Sequence, residues 1–140
     1  MSVYLDASIL VALMSNDALT SRADSFLRSS DTVSIVSDFA AAEFASAIAR
    51  RVRIRDLTRD QGRATFSTFD AWIGQAVQWA ETTTRDVALA AGLLRRLELT
   101  LRTPDALNIA IAERLGATLA TFDKKMALSA RRMGISVATA

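Results

Sequence analysis

The stretch RTPDALNIAIAERLGATLATFDKK, Arg102–Lys125, predicts a helix that leads directly into a strand. Thr103 is a favourable N-cap and Pro104 suits the first helical position, so the helix is expected to begin there. Gly116 is expected to end the helix, and the apolar TLAT that follows is typical of a short strand. If the sheet is parallel, this helix runs opposite to its strand, so the helix start and the strand end share one edge.

The rest of the chain alternates strands and helices in the same way. Strands are predicted at Ser2–Leu5, Thr32–Val36, Thr118–Thr121 and Ile135–Thr139, and helices at Ile9–Ser15, Leu19–Ser29, Ser37–Val52, Thr58–Trp79, Thr84–Leu97 and from Asp123 to Met133. The expected N-caps are Ser37 or Asp38, Thr58 in a capping box with Gln61, and Thr84. This alternation predicts an α/β fold, a parallel sheet of about four to five strands with helices on both faces.

Length and composition narrow the class of protein. The chain has 140 residues, 51% of them hydrophobic, which predicts one domain spanning residues 1–140. It contains no Cys and no His, so any bound metal would need oxygen ligands. A net charge of +2 is compatible with nucleic-acid binding but does not indicate it. The N-terminus lacks a signal peptide and a membrane-spanning segment, which predicts a cytoplasmic protein.

Four acids lie among apolar neighbours, namely Asp6, Glu43, Asp105 and Asp123. Each has a structural interpretation on its own. Asp6 and Asp123 follow strands, where Asp often caps the next helix. Asp105 lies in the first turn of a helix, where the macrodipole favours an acid, and a solvated helix face would account for Glu43.

Together, the four acids are predicted to meet at the carboxyl edge of the sheet. Asp6 and Asp123 follow their strands, and Asp105 starts the helix that leads back into a strand. Glu43 lies in a helix that begins at the same edge, and its side chain tilts toward the helix start. Clustered carboxylates repel unless a cation neutralises them, and Mg²⁺ or Mn²⁺ accepts such ligands. The sequence therefore predicts a metal site where open α/β sheets bind ligands.

These residues resemble a PIN domain, and specifically the VapC-like toxins of bacterial toxin–antitoxin pairs. The matching elements span the whole chain and are YLDAS with Asp6, Glu43 after the second strand, TPDALNIAIA with Asp105, and TLATFDKK with Asp123. The resemblance implies a PIN-like three-layer fold, a Mg²⁺ or Mn²⁺ site and single-strand-specific ribonuclease activity. It also implies a homodimer and a cognate antitoxin protein.

The resemblance also implies individual roles. By position, the core metal-binding acids are Asp6, Glu43 and Asp105, and Asp123 is the fourth. Ser8 matches a hydroxyl beside the first Asp, and Thr121 matches a small polar residue that supports the site. Asn108 stands where many relatives carry His, so any aid to substrate contact from that position would come from an amide.

The implied reaction is hydrolysis of an RNA phosphodiester bond by a metal-activated water, which requires neither His nor Cys. Candidate RNA contacts are Arg50, Arg51, Arg53 and Arg55 in RRVRIR, and Lys124 and Lys125. A solvated helix end accounts equally well for the arginines, whereas Asp123 fixes the lysines near the acids.

Two apolar segments predict association. One is the first helix, with Leu10, Val11, Leu13 and Met14, and the other is the helix expected to carry Trp72 and Trp79. The tryptophans are interpreted as core or subunit contacts. One segment is expected to form a homodimer contact and the other a groove for an antitoxin segment.

Two alternatives remain from the sequence. A receiver domain or a haloacid-dehalogenase-type phosphatase also clusters acids at this edge, but the phosphatase needs an Asp where Ser8 stands. A receiver needs an acidic pair before its phosphorylated Asp, and none precedes Asp6. The other alternative is a non-catalytic module that binds RNA or a protein while the acids hold a structural ion.

Overall fold

The computed structural model describes residues 1–29 and 31–138 and contains a five-stranded parallel sheet in the order β3-β2-β1-β4-β5. The strands are β1 Ser2–Leu5, β2 Val33–Ser37, β3 Gln78–Ala80, β4 Thr118–Ala120 and β5 Val137–Ala138. In the central strand β1, Tyr4 pairs with Ile35 on one side and with Leu119 on the other. The predicted α/β fold is confirmed.

Seven helices pack around the described part of this sheet. They are α1 Ala7–Met14, α2 Thr20–Arg28, α3 Asp38–Arg53, α4 Arg59–Ala76, α5 Thr84–Leu94, α6 Thr103–Arg114 and α7 Lys124–Arg132. Val3, Tyr4 and Leu5 are all buried. Because successive strand residues point to opposite faces, this continuous burial requires cover on both sides of β1. No helix within the described ranges is long and apolar enough to cross a membrane.

Several of the predicted helix-end signals are confirmed. The Ser37 side chain accepts a hydrogen bond from the backbone N–H of Ala40, so Ser37 and not Asp38 is the N-cap of α3. Thr58 and Gln61 form the predicted capping box. Gly116 has a φ of 61°, the left-handed conformation that ends a helix at little cost to glycine.

The prediction of one helix from Thr58 to Trp79 was wrong, because α4 ends at Ala76 and a separate strand follows. Val77 is extended, with φ −130° and ψ 155°, and Trp79 pairs with Val36 of β2. The apolar spacing continues through this segment, so periodicity alone did not mark the break. Pairing with β2, a contact distant in sequence, decided the conformation.

Other element boundaries also differ from the prediction. The N-cap of α5 is Thr83 and not Thr84, and the helix ends at Leu94, before Leu97, which is 88% exposed with a φ of 68°. The N-cap of α6 is Arg102 and not Thr103. The last strand is shorter than Ile135–Thr139, and Thr139 lies outside the described residues.

An ion pair between the buried Asp86 and the solvent-accessible Arg114 joins α5 to α6. Arg114 donates from Nε to Asp86 Oδ1 at 2.7 Å and from one terminal nitrogen to Asp86 Oδ2 at 3.0 Å. The hydrogen bonds and charge of Arg114 outweigh burial and lower the pKa of Asp86. This pair braces α6, the helix that carries Asp105 and Asn108 to the carboxyl edge.

Candidate metal centre

Asp6 is the most buried of the four acids, at 3% exposure, and is held by three donors. Its Oδ1 accepts hydrogen bonds from Ser8 Oγ at 2.6 Å and from the backbone N–H of Ile9 at 3.1 Å. Its Oδ2 accepts from Thr121 Oγ1. Burial is the largest influence on Asp6 and raises its pKa, although all three hydrogen bonds act in the opposite direction. Asp6 therefore caps α1, as its structural interpretation required, and is also a buried carboxylate whose charge is costly.

Ser8 and Thr121 join the ends of β1 and β4. Each hydroxyl donates to Asp6 and accepts a backbone N–H, from Phe122 to Ser8 Oγ and from Asp123 to Thr121 Oγ1, both at 2.9 Å. Both hydroxyls predicted to support the site thus contact the first acid directly. They also fix the backbone that carries the fourth acid.

Glu43 is positioned by a buried network that runs through Asn108. The Asn108 amide donates to Glu43 Oε1 at 2.8 Å and to the Pro104 carbonyl at 2.9 Å. Its oxygen accepts from the Tyr4 hydroxyl at 2.6 Å, and that hydroxyl lies 2.7 Å from Ser37 Oγ. Asn108 is only 3% exposed, and its amide donates to Glu43 and to the Pro104 carbonyl, so it orients Glu43.

The remaining two acids also serve as local caps. Asp105 Oδ2 accepts a hydrogen bond from the backbone N–H of Arg102 at 3.0 Å. Asp123 Oδ1 accepts from the backbone N–H groups of Lys125 and Met126, both at 3.0 Å. Each cap uses one carboxylate oxygen and leaves the other for a metal ion. The roles of helix cap and metal ligand are therefore compatible in both residues.

The acids influence one another electrostatically at this edge. The pKa of Glu43 is raised, mainly by burial and then by the charges of Asp6 and Asp105. The charge of Asp123 adds to the rise in the pKa of Asp6. Even so, among residues 1–29 and 31–138 no three of these carboxylates approach closely enough to surround an ion on their own.

The donor chemistry of the site fits a hard divalent ion. Within the described part of the chain, the second oxygens of three acids accept no hydrogen bond, and these are Glu43 Oε2, Asp105 Oδ1 and Asp123 Oδ2. These oxygens are available as ligands, and carboxylate oxygens suit Mg²⁺ and Mn²⁺. The remaining acid, Asp6, is fixed in orientation by its hydroxyl partners.

The two predicted basic runs lie in different places. Arg50 and Arg51 are near the end of α3, whereas Glu43 lies near its start, about 10 Å away along the axis. Arg51 also donates to Ser15 Oγ at 2.9 Å, so it is engaged within the protein. Lys124, in contrast, lines a groove beside Asp123, and Lys125 is exposed.

Sequence reasoning missed Tyr4, Arg22, Phe122 and Arg131. In the sequence, Tyr4 has the apolar neighbours of a core residue. In the structure, its ring is buried in the core and its hydroxyl joins the hydrogen-bond network that holds Glu43. Burial raises the pKa of Tyr4 far above its ordinary value, so this hydroxyl stays protonated as a donor. The other three line the groove beside Asp123, and their contacts cross between elements.

Comparisons with known proteins agree with this architecture. The family model for the PIN domain matches residues 3–132. The solved structure of Mycobacterium tuberculosis VapC20, described as a Sarcin-Ricin loop cleaving toxin, is 19% identical with a TM-score of 0.75, over 97% of this chain and 98% of that one. VapBC2 from Rickettsia felis, bound to promoter DNA, is 16% identical with a TM-score of 0.73, over 100% and 99%. FitAcB from Neisseria gonorrhoeae is 16% identical with a TM-score of 0.69, over 98% and 95%. No curated protein sequence matches the chain.

Proposed function

This chain belongs to the PIN domain family, and we propose that it is a Mg²⁺- or Mn²⁺-dependent endoribonuclease specific for single strands. We further propose that it acts in the cytoplasm as a single-domain toxin of a toxin–antitoxin pair. The observation that carries the enzymatic proposal is a set of carboxylate oxygens that accept no hydrogen bond from any residue the structure describes. They belong to Glu43, Asp105 and Asp123, which lie at the same sheet edge as the buried Asp6. Similarity to VapC20, itself described as a Sarcin-Ricin loop cleaving toxin, supports the proposed nuclease activity.

The residues of the chain have distinct tasks in this proposal. Asp6, Glu43, Asp105 and Asp123 would hold the ion, and Asn108 would keep Glu43 turned toward it. The bound ion supplies Lewis acidity and a water of lowered pKa for attack on the phosphodiester. Asp6 adds negative charge at a fixed point, because Ser8 and Thr121 restrain both of its oxygens.

The purified protein is expected to cleave single-stranded RNA in Mg²⁺ or Mn²⁺ and to stop when a chelator is in excess. The physical reason is that carboxylate oxygens are the ligands that a hard divalent ion prefers, and the bound ion would lower the pKa of the attacking water. Duplex RNA of the same sequence is the control for strand specificity. Cleavage that continues at full rate in excess chelator would refute metal dependence.

The structure also bears on the alternative of a phosphotransfer domain. Receiver domains adopt the strand order 2-1-3-4-5. The order here, β3-β2-β1-β4-β5, is different. The position two residues after Asp6 is occupied by Ser8, whose hydroxyl is committed to Asp6 and to the backbone of Phe122.

Partner binding is proposed at an apolar groove between α3 and α4. Leu10 is fully buried, and Val11, Leu13 and Met14 pack against the core, so α1 offers less free surface than the sequence suggested. The groove, of about 460 Å³, is lined by Ala41, Ala42, Ala45, Phe66, Ile73 and Trp79. Trp79 is 46% exposed. We propose that an apolar segment of the antitoxin occupies this groove, because the groove is apolar and a similar solved structure is described as a toxin–antitoxin complex.

The isolated chain is expected to be a homodimer, with a mass by light scattering of twice its 15.1 kDa. Trp79→Ser should remain a dimer yet fail to co-purify with the antitoxin encoded beside it, since the groove loses its largest apolar contact. Leu97→Ser, at another exposed apolar residue, is the matched control. A monomer at tens of micromolar contradicts the dimer, and antitoxin retained by Trp79→Ser contradicts the groove.

A further inference from the structure

A second groove, of about 710 Å³, opens directly beside the acids. It lies between α2 and α7, and its lining includes Arg22, Phe122, Lys124 and Arg131 together with Thr121 and Asp123. The last two belong to the acidic site described above. The groove is therefore continuous with the place where the scissile phosphate would lie.

The groove contains an aromatic platform at a fixed position. The guanidinium carbon of Arg22 lies 5.4 Å from the centroid of the Phe122 ring, within the range of a cation–π contact. The backbone N–H of Phe122 donates to Ser8 Oγ, and that hydroxyl in turn donates to Asp6. The platform is thus tied by two hydrogen bonds to the buried acid.

The charge of the groove complements a polyanion. Besides Arg22, the described lining residues include two bases, Lys124 and Arg131, and one acid, Asp123. Bases of single-stranded RNA stack on aromatic rings and on guanidinium planes, while phosphates are contacted by Lys and Arg. An apolar or acidic peptide would use only part of this arrangement.

We infer that this groove holds the nucleotide next to the scissile phosphate, with its base stacked on Arg22 and Phe122 and its phosphate contacted by Lys124 and Arg131. This inference rests on the proposed ribonuclease function and adds where the strand lies. Stacking tolerates any base, because every base has a π-face. The groove therefore selects unpaired strands, whose bases are free to turn out, over duplexes.

Binding of a fluorescein-labelled single-stranded RNA, followed by anisotropy in Mg²⁺, tests the inference. All variants are made in an Asp6→Asn background so that the RNA stays intact. Phe122→Leu is expected to weaken binding about 5- to 150-fold without changing its salt dependence, because a stacking contact is lost. Arg131→Gln is expected to lower the slope of log K against log salt by about 0.7, as one phosphate contact disappears.

Arg132→Gln is the matched control, since Arg132 adjoins Arg131 on α7, carries the same charge, is exposed and does not line the groove. Its affinity and salt slope should equal those of the parent. Because Phe122 packs partly against the core, each variant is first checked by thermal melting. Arg22→Gln removes the other half of the platform without altering the core and should also weaken binding.

RNAs in which one base at a time is replaced by an abasic sugar locate the stacked nucleotide. At one position, loss of the base should weaken RNA binding by the parent but not by Phe122→Leu. A double-mutant cycle reports this difference as a coupling energy between Phe122 and that base. If Phe122→Leu, Arg22→Gln and Arg131→Gln all bind like Arg132→Gln, the inference is overturned while the proposed function stands. If the parent binds no RNA and the wild type cleaves none, both fail. Variants that bind RNA normally but escape the antitoxin would assign the groove to the partner protein and overturn the inference.

Discussion

Asp6→Asn is expected to abolish RNA cleavage, with a loss on the order of 10³-fold, because a metal site of this kind contributes several kcal/mol to transition-state stabilisation. The substitution keeps the size of the side chain. Its oxygen can still accept from Ile9 and Ser8, and Asn caps a helix about as well as Asp. The change therefore removes one negative charge from the acids while leaving the local structure in place.

The stability of the same variant separates function from folding. Asp6 is buried, and its charge is opposed by burial and by Asp123. Without metal, Asp6→Asn should have an unchanged or slightly raised melting temperature, because a costly buried charge is gone. If the only task of Asp6 were to cap α1, the variant would remain fully active.

Single-turnover cleavage, growth of cells expressing the protein, and RNA affinity are the three measurements. Asp56→Asn, the same chemical change at an exposed residue between α3 and α4, is the control and should behave as wild type. Loss of cleavage and toxicity with RNA affinity retained identifies an enzyme. If the protein is a non-catalytic module, Asp6→Asn should keep both its effect on growth and its RNA affinity. If Asp6→Asn cleaves RNA at the full rate, the metal-site proposal is overturned.

The sequence predicted those features that depend on neighbouring residues. Ser37, Thr58 and Gly116 act within a few positions of themselves, and their roles at helix ends were correct or nearly so. The convergence of Asp6 and Asp123 followed from strand direction alone, since parallel strands end at the same edge. The direction of the strands therefore determines which residues share a sheet edge, and it can be predicted without knowing any side-chain contact.

Contacts between distant residues explain what the sequence could not predict. Trp79 forms a strand because β2 is there to pair with it. Asn108 turns inward because Tyr4, more than a hundred positions away, offers a hydroxyl to its oxygen. The Arg22–Phe122 platform likewise joins α2 to the end of β4. The residues of each pair are far apart in the sequence and come into contact only in the folded chain. No local sequence pattern therefore predicts these contacts.

Mg²⁺ is expected to raise the melting temperature of the wild-type protein by about 10 °C when its concentration is 100 times the dissociation constant. A ligand at that ratio stabilises the folded state by about 2.7 kcal/mol if it does not bind the unfolded chain. For a chain of this length, each kcal/mol corresponds to roughly 4 °C. Relief of repulsion among Asp6, Glu43 and Asp105 is the structural source of this binding energy.

Asp105→Asn provides the decisive comparison for this shift. The Asn oxygen can still accept from the backbone N–H of Arg102, so the first turn of α6 keeps its hydrogen bond. The oxygen left without a donor loses its charge, however, and Mg²⁺ should then raise the melting temperature by only a small fraction of the wild-type shift. Asp56→Asn should show the full shift, and NaCl of equal ionic strength should produce little of it, since general screening is not site binding. Equal Mg²⁺ shifts in Asp105→Asn and Asp56→Asn would mean that the ion stabilises the protein elsewhere, and that the four acids have structural roles without a metal.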